Sequence, residues 1–154
     1  MTSPYNSSRY YRDQDRWTLA RGSITFDGTA GKGAQGTVTL FDVTGVVELS
    51  GYPVGTCTVS LVGAADIEIG AGDGSDEFGS FADATSIDAG MLFLSTNFGT
   101  GTRPTATRQV PVNGDIIITI GTADITAGVL YFFVWWRPLS ADGAVVLGPN
   151  MVKI

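Results

Sequence analysis

The segment GVLYFFVWWRPL, residues 128–139, decides how this chain is read. Residues 129–136 are apolar or aromatic without interruption. A helix that crosses a bilayer needs about 20 such residues, so the run is too short to span a membrane that way. In a strand, successive side chains point to opposite faces. Val129, Tyr131, Phe133 and Trp135 then share one face, and Leu130, Phe132, Val134 and Trp136 share the other. Both faces are apolar, and an uncovered aromatic sheet face invites aggregation. One face suits a sandwich interior. The other is expected to meet another subunit; the amino-terminal arm or a further layer of the same chain are the alternatives. Arg137 and Pro138 are expected to end the strand, because proline cannot donate to a ladder.

Working outward, the same strand grammar recurs. WTLARGSITF (17–26) and GTVTLFDV (36–43) alternate in part and are rich in β-branched residues. GVVELSGYPVGTCTVSLVG (45–63) reads as two strands broken at the 51–55 turn. In ADIEIG (65–70), Ile67 and Ile69 oppose Asp66 and Glu68, the pattern of a half-buried strand. GMLFLS (90–95) is a further candidate. An Asn-Gly turn signal at 113–114 precedes a strand holding Ile116, Ile118 and Ile120. GAVVLG (143–148) follows the opening segment. No window holds a helical period. About eight short strands punctuated by turns define an all-β chain, a β-sandwich or jelly roll. A weak internal echo links IDAGMLF (87–93) to ITAGVLY (125–131). Each places an isoleucine before an Ala-Gly turn that opens an apolar strand, which is expected of repeated turn-then-strand grammar within one sandwich.

The chain has 154 residues, enough for one domain with a sizeable core. Its 21 glycines and low charge suit short strands and tight turns. A net charge of −6 argues against a free-standing nucleic-acid binder, which needs a basic surface. The lone Cys57 cannot form an internal disulfide. It alternates with Val59 and Leu61 and reads as a small core residue. With no histidine in the chain, Cys57 lacks the usual base partner of a nucleophile. The amino terminus shows no apolar core of a secretory signal.

Other chemistry finds little footing. No Lys or Arg lies between Lys32 and Arg103, and Asp73, Asp76 and Glu77 crowd the loop GAGDGSDEFGS (70–80). Clustered oxygens suit calcium, but the spacing departs from the helix-flanked calcium loop, and a solvated loop is the expectation. GTAGKGAQGT (28–37) is glycine-rich, yet no Ser or Thr follows its Gly-Lys, so a hairpin loop is expected rather than a phosphate cradle. Carboxylate pairs compatible with glycoside hydrolysis occur in any acidic sandwich. The expectation is a non-enzymatic chain without cofactor or metal.

Residues 1–16 read as a separate arm, disordered alone and ordering on a partner, with the sandwich domain at 17–154. Tyr5, Tyr10, Tyr11 and Trp17 interleave there with Arg9, Arg12 and Arg16. These residue types anchor protein interfaces. With Trp135 and Trp136 they are the candidate partner-binding residues. Five of the nine basic residues lie within 1–32, whereas most acids come later, a polarity that favours contacts between subunits.

The carboxy-terminal stretch NGDIIITIGTADITAGVLYFFVWWRPLSADGAVV (113–146) resembles a recurring segment of small tailed-bacteriophage virion structural proteins. The matching features are GDIIITIGTADITAG (114–128), the aromatic strand and WRPLSADG (136–143). VTLFDVTGVVEL (38–49) to ADIEIG (65–70) match more loosely. The resemblance implies a β-rich virion protein of the capsid decoration or cement kind, made in the host cytoplasm and placed on the head surface. Its implied partners are the major capsid protein, other virion subunits and copies of itself, a trimer being favoured, with neither nucleic acid nor membrane contacted directly. A tail or fibre component that binds a receptor or glycan is the alternative. The resemblance brings no catalytic residues with it.

Overall fold

A computed structural model describes residues 16–51, 53–72, 78–93 and 109–154. The chain is nearly all β. Its strands are β1 (Thr18–Phe26), β2 (Gly36–Thr44), β3 (Val47–Ser50), β4 (Val54–Val62), β5 (Asp66–Ala71), β6 (Gly79–Phe81), β7 (Leu92–Phe93), β8 (Gln109–Val112), β9 (Ile116–Gly121), β10 (Ala127–Pro138), β11 (Ala144–Leu147) and β12 (Val152–Lys153). Among the described residues a 3₁₀ turn occupies Ala84–Ser86. No helix among the described residues is long and apolar enough to cross a membrane.

Two antiparallel sheets form a β-sandwich. The larger runs β12-β1-β10-β3-β8, with β4 also paired to β10, and β7 to β4. The smaller runs β11-β2-β9-β5-β6. The chain crosses between sheets at most connections and stays within one sheet from β3 to β4, β5 to β6 and β7 to β8. Counting β3 with β4 and β7 with β8, the order β1-β10-(β3, β4)-(β7, β8) faces β2-β9-β5-β6. That is the connectivity of an eight-stranded jelly roll, with β11 and β12 added at one side.

The opening segment up to Pro138 lies within β10, the longest strand at 12 residues and the centre of the larger sheet. Strand β1 pairs with it along its whole length, from Thr18 opposite Trp136 to Phe26 opposite Gly128. On its other side, β4 pairs with its first half and β3 with its end, where Pro138 faces Val47. Its inward residues Leu130, Phe132 and Val134 are buried against the smaller sheet, whose centre is the isoleucine strand β9. β-Branched side chains fit such a pleated, covered surface, and Ile116, Ile118 and Ile120 are all buried.

Two local departures from simple alternation matter. Strand β4 spends extra residues against β10, so the register shifts twice between Cys57 and Val62. The bulge keeps Cys57 and Leu61 in the core and turns Val59 outward, half exposed. The expected shared face of Cys57, Val59 and Leu61 is thus corrected. Gly128, at φ +125°, lies at the same irregularity, where a Cβ would press on the Leu61 and Ser60 backbones. The glycine-rich segment after β1 is also corrected: it joins strands of different sheets and is no hairpin between neighbours. It folds on itself through Gly28 and Asp27 N–H groups donating to the Lys32 carbonyl.

The internal echo acquires a structural meaning. Ile87 and Ile125 are both fully buried, and the segments they lead are the two neighbours of β4, β7 on one side and β10 on the other. The Leu61 N–H donates to the Ile87 carbonyl, and the Thr126 N–H donates to the Val62 carbonyl.

Two substitutions test this packing in urea denaturation. Phe132→Ala should cost about 3–5 kcal/mol through lost burial and a cavity. Gly128→Val should cost about 2–4 kcal/mol through backbone strain and overpacking.

Candidate interaction surface

The outward face of the larger sheet is built in rows, because directly opposed residues in antiparallel strands share a face. Along β10 this face presents Val129, Tyr131, Phe133 and Trp135. Across it, Val152, Ser23, Tyr131, Thr56 and Leu92 stand in one continuous register over five strands. Leu19 stands beside Trp135, and Arg21 beside Phe133. Tyr131 and Phe133 are partly covered by their neighbours. Trp135 is 50% exposed, Leu92 52% and Val152 64%. No described element lies over this face, so aromatic and aliphatic groups meet solvent on a broad, gently twisted surface.

One end of the face is fixed by charge. Arg137 on β10 stands opposite Glu48 on β3, and its Nε–H donates to Glu48 Oε2. Glu48 is the one buried charged residue among those described, at 8% exposure. The Arg137 guanidinium lies over the Trp17 ring, 5.0 Å from its centroid. Trp17 immediately precedes β1, so this row ties the start of β1 through the end of β10 to β3. A buried carboxylate needs such a partner, because stripping it of water without one is costly.

The two adjacent tryptophans take opposite roles. Trp135 points out. Trp136 points in, stands opposite Leu49 and packs on the core. Its Nε1–H is buried and has no acceptor among the described residues. Of the other residues singled out from the sequence, Trp17 is half-buried beneath Arg137 and Arg16 is exposed. Tyr5, Arg9, Tyr10, Tyr11 and Arg12 lie outside the described residues, as do Asp73, Asp76 and Glu77 of the acidic loop. Glu48 was not recognisable beforehand as part of this surface, because only the β3–β10 register brings it to Arg137.

Chemically reactive groups are spread out. Among the described residues no three Cys, Asp or Glu side chains gather where they could hold a metal ion. Cys57 is buried, and burial pushes its thiol pKa up, with Asp88 adding to the shift and backbone hydrogen bonding opposing it. Asp27 and Asp83 each close a small turn by accepting the hydroxyl and backbone N–H of the threonine two residues on, Thr29 and Thr85. Asp142 accepts the Ser140 hydroxyl, which in turn accepts the Val46 N–H. These hydrogen bonds hold all three carboxylates below their ordinary range.

Comparison with protein-family models, with curated proteins and with solved structures found no match for this chain.

Three measurements check the surface. Glu48→Ala should lower stability by about 1–3 kcal/mol in urea unfolding, since it strands a partly covered guanidinium. Trp136→Ser should cost at least about 3 kcal/mol, whereas Trp135→Ser should stay within about 0.5 kcal/mol of the parent. The depressed carboxylates favour the fold while ionised. Their contribution is complete above the ordinary pKa of 3.8 and is lost as pH falls through the lowered values. Thermal melts should therefore change little on this account above pH 5 and fall progressively below about pH 4.

Proposed function

We propose that this chain is a structural protein of a virus particle, a capsid decoration or cement protein that binds the outer surface of a phage head and stabilises it. The observation that carries the reading is the aromatic face of the larger sheet, which no described element covers and which makes an assembling subunit a better account than a free monomer. The likeness of residues 113–146 to phage virion proteins gives the class of assembly. The jelly roll is compatible with it, being common in capsid proteins, but it also serves lectins and enzymes and so carries no function by itself.

In this reading the outward face packs against copies of the same chain, in a trimer. The face is poor in free charge: Arg137 is paired internally with Glu48, which leaves Arg21 near the β1 edge. Like copies therefore meet there with little repulsion, as in homo-oligomer interfaces, whose centres are more apolar than the rest of the surface. Residues 1–16 reach onto neighbouring capsid subunits, with Tyr5, Arg9, Tyr10, Tyr11, Arg12 and Arg16 as anchors and Trp17, held beneath Arg137, at the base of the arm. Many modest contacts repeated over a lattice then add up to tight retention.

Two experiments decide. Sedimentation should show an oligomer that Trp135→Glu converts to a folded monomer; a parent that is monomeric at all concentrations would remove the self-packing role of the face. Head shells should bind the full chain and lose affinity for a chain lacking residues 1–16. If the truncated chain binds equally well, the arm has no part in attachment. Density on the tail instead of the head, or glycan-array binding without shell binding, would replace this reading with that of a receptor-binding fibre component.

A further inference from the structure

Among the described residues, strand β1 is only half protected on its outer side. It pairs with β10 at every residue, but β12 covers the opposite edge only at Gly22 and Ser23. Over residues 18–21, no described strand takes up the backbone groups that point away from β10. Such an edge is a template for one more strand. Two other edges differ: β8 contains Pro111, which has no N–H to offer, and β6 is three residues long.

The open edge borders a groove of about 610 Å³ between the two sheets. Its apolar wall comes from Ala20, Trp136, Val145 and Leu147; Lys153 borders it, and Arg21 stands at its rim on β1, on the outward face beside Phe133. Neither cation has a salt-bridge partner among the described residues. The β1 edge thus carries a cation on each face of the sheet, Arg21 outward and Lys153 on the groove side, in a chain of net charge −6. Trp136, whose buried Nε1–H lacks an acceptor among the described residues, is part of the same wall. A buried donor left in this state costs about 1–3 kcal/mol.

We infer that the edge of β1 at residues 18–21 and the adjoining groove receive an extended, acidic peptide segment of a partner protein, added to the larger sheet as a further strand. Main-chain hydrogen bonds to β1 supply the register. Alternate apolar side chains of the added strand enter the groove against Ala20, Trp136, Val145 and Leu147. Its carboxylates alternate onto the outward face beside Arg21, and Lys153 stands where β12 abuts the added strand. Charge selects the occupant: pairing this edge with the same edge of a second copy would bring two sets of Arg21 and Lys153 together, which opposes self-pairing here. This docking mode is separate from packing on the outward aromatic face and stands without it.

The probe is the blocked octapeptide acetyl-Asp-Val-Thr-Val-Asp-Val-Thr-Val-amide, titrated into the isotope-labelled full chain and followed by amide and indole resonances. Its counterpart with Lys in place of Asp is the control. At about 1 mM acidic peptide, the amides of residues 18–21 and the Trp136 indole N–H should shift, and the Lys peptide should bind about tenfold more weakly or not at all. The double variant Arg21→Glu with Lys153→Glu, both exposed positions, should reverse that preference while keeping the parent's melting curve. Trp135→Glu, the variant that tests the oligomer, should leave peptide binding unchanged. Absence of edge shifts at that concentration overturns the inference. So do shifts confined to Tyr131 and Trp135, equal binding of the two peptides, or a double variant that folds and still prefers the acidic one. Should the double variant fail to fold, the parent's affinity for the acidic peptide must fall with added salt; a salt-independent affinity overturns the inference as well.

Discussion

Burial of Leu130, Phe132 and Val134 between the two sheets is the interaction on which the rest of the molecule depends. These side chains are at most 2% exposed, and they belong to a strand whose backbone is paired on both sides for most of its length. A strand so apolar is stable only at the centre of a sheet, where its ladder is satisfied and one face is covered. Once β10 occupies that place, β1 and the β3–β4 pair are fixed on its flanks, and the smaller sheet must present an equally apolar face. The isoleucines of β9 do so. The break between β3 and β4 follows from the same constraint: two shorter strands share the long edge that one partner would otherwise line.

The same strand builds the core and displays the candidate interface. A step of one residue separates Trp136, packed on the core, from Trp135, held out in solvent. A slip of one residue in register would exchange these faces and bury Trp135 in place of Trp136. The row of Trp17, Arg137 and Glu48 opposes such a slip. It sets a buried carboxylate where only the correct register supplies its cation. The face proposed for assembly is therefore formed by the monomer's own fold and needs no partner to take shape. Around the β1 edge the situation is similar: the groove walls come from both sheets and exist before anything enters.

Much of the architecture was legible in the sequence, because strand alternation and turn residues are local signals. The longer strands fall within a residue or two of their expected bounds, and the all-β sandwich follows from their number. What escaped was short or irregular. Strand β8 contains proline, β6 is Gly-Ser-Phe, and β12 has two residues, so none carries a period. The outward turn of Val59 depends on bulges that arise only when β4 is laid against β10. Which of the two tryptophans faces the core could not be read from a run apolar at every position, since alternation marks two faces without saying which is inside. Arg137 was visible as a strand terminator, but its pairing with Glu48 spans 89 residues and needs the sheet register. The open edge of β1 is likewise a property of strand order and of where β12 stops.

The jelly-roll order has a further consequence, in time. The centres of both sheets, β9 and β10, come from the last third of the chain. None of the first five strands pairs with another of them: β1, β3 and β4 take their places on β10, and β2 and β5 on β9. As the polypeptide leaves the ribosome, its early strands have no lasting sites until residues 116–138 emerge. Pairs such as Thr18 with Trp136 then close loops of more than a hundred residues. Contacts so distant in sequence form slowly. The nascent amino-terminal two-thirds is therefore a holding state, and the apolar segment near the carboxy terminus is the signal that ends it.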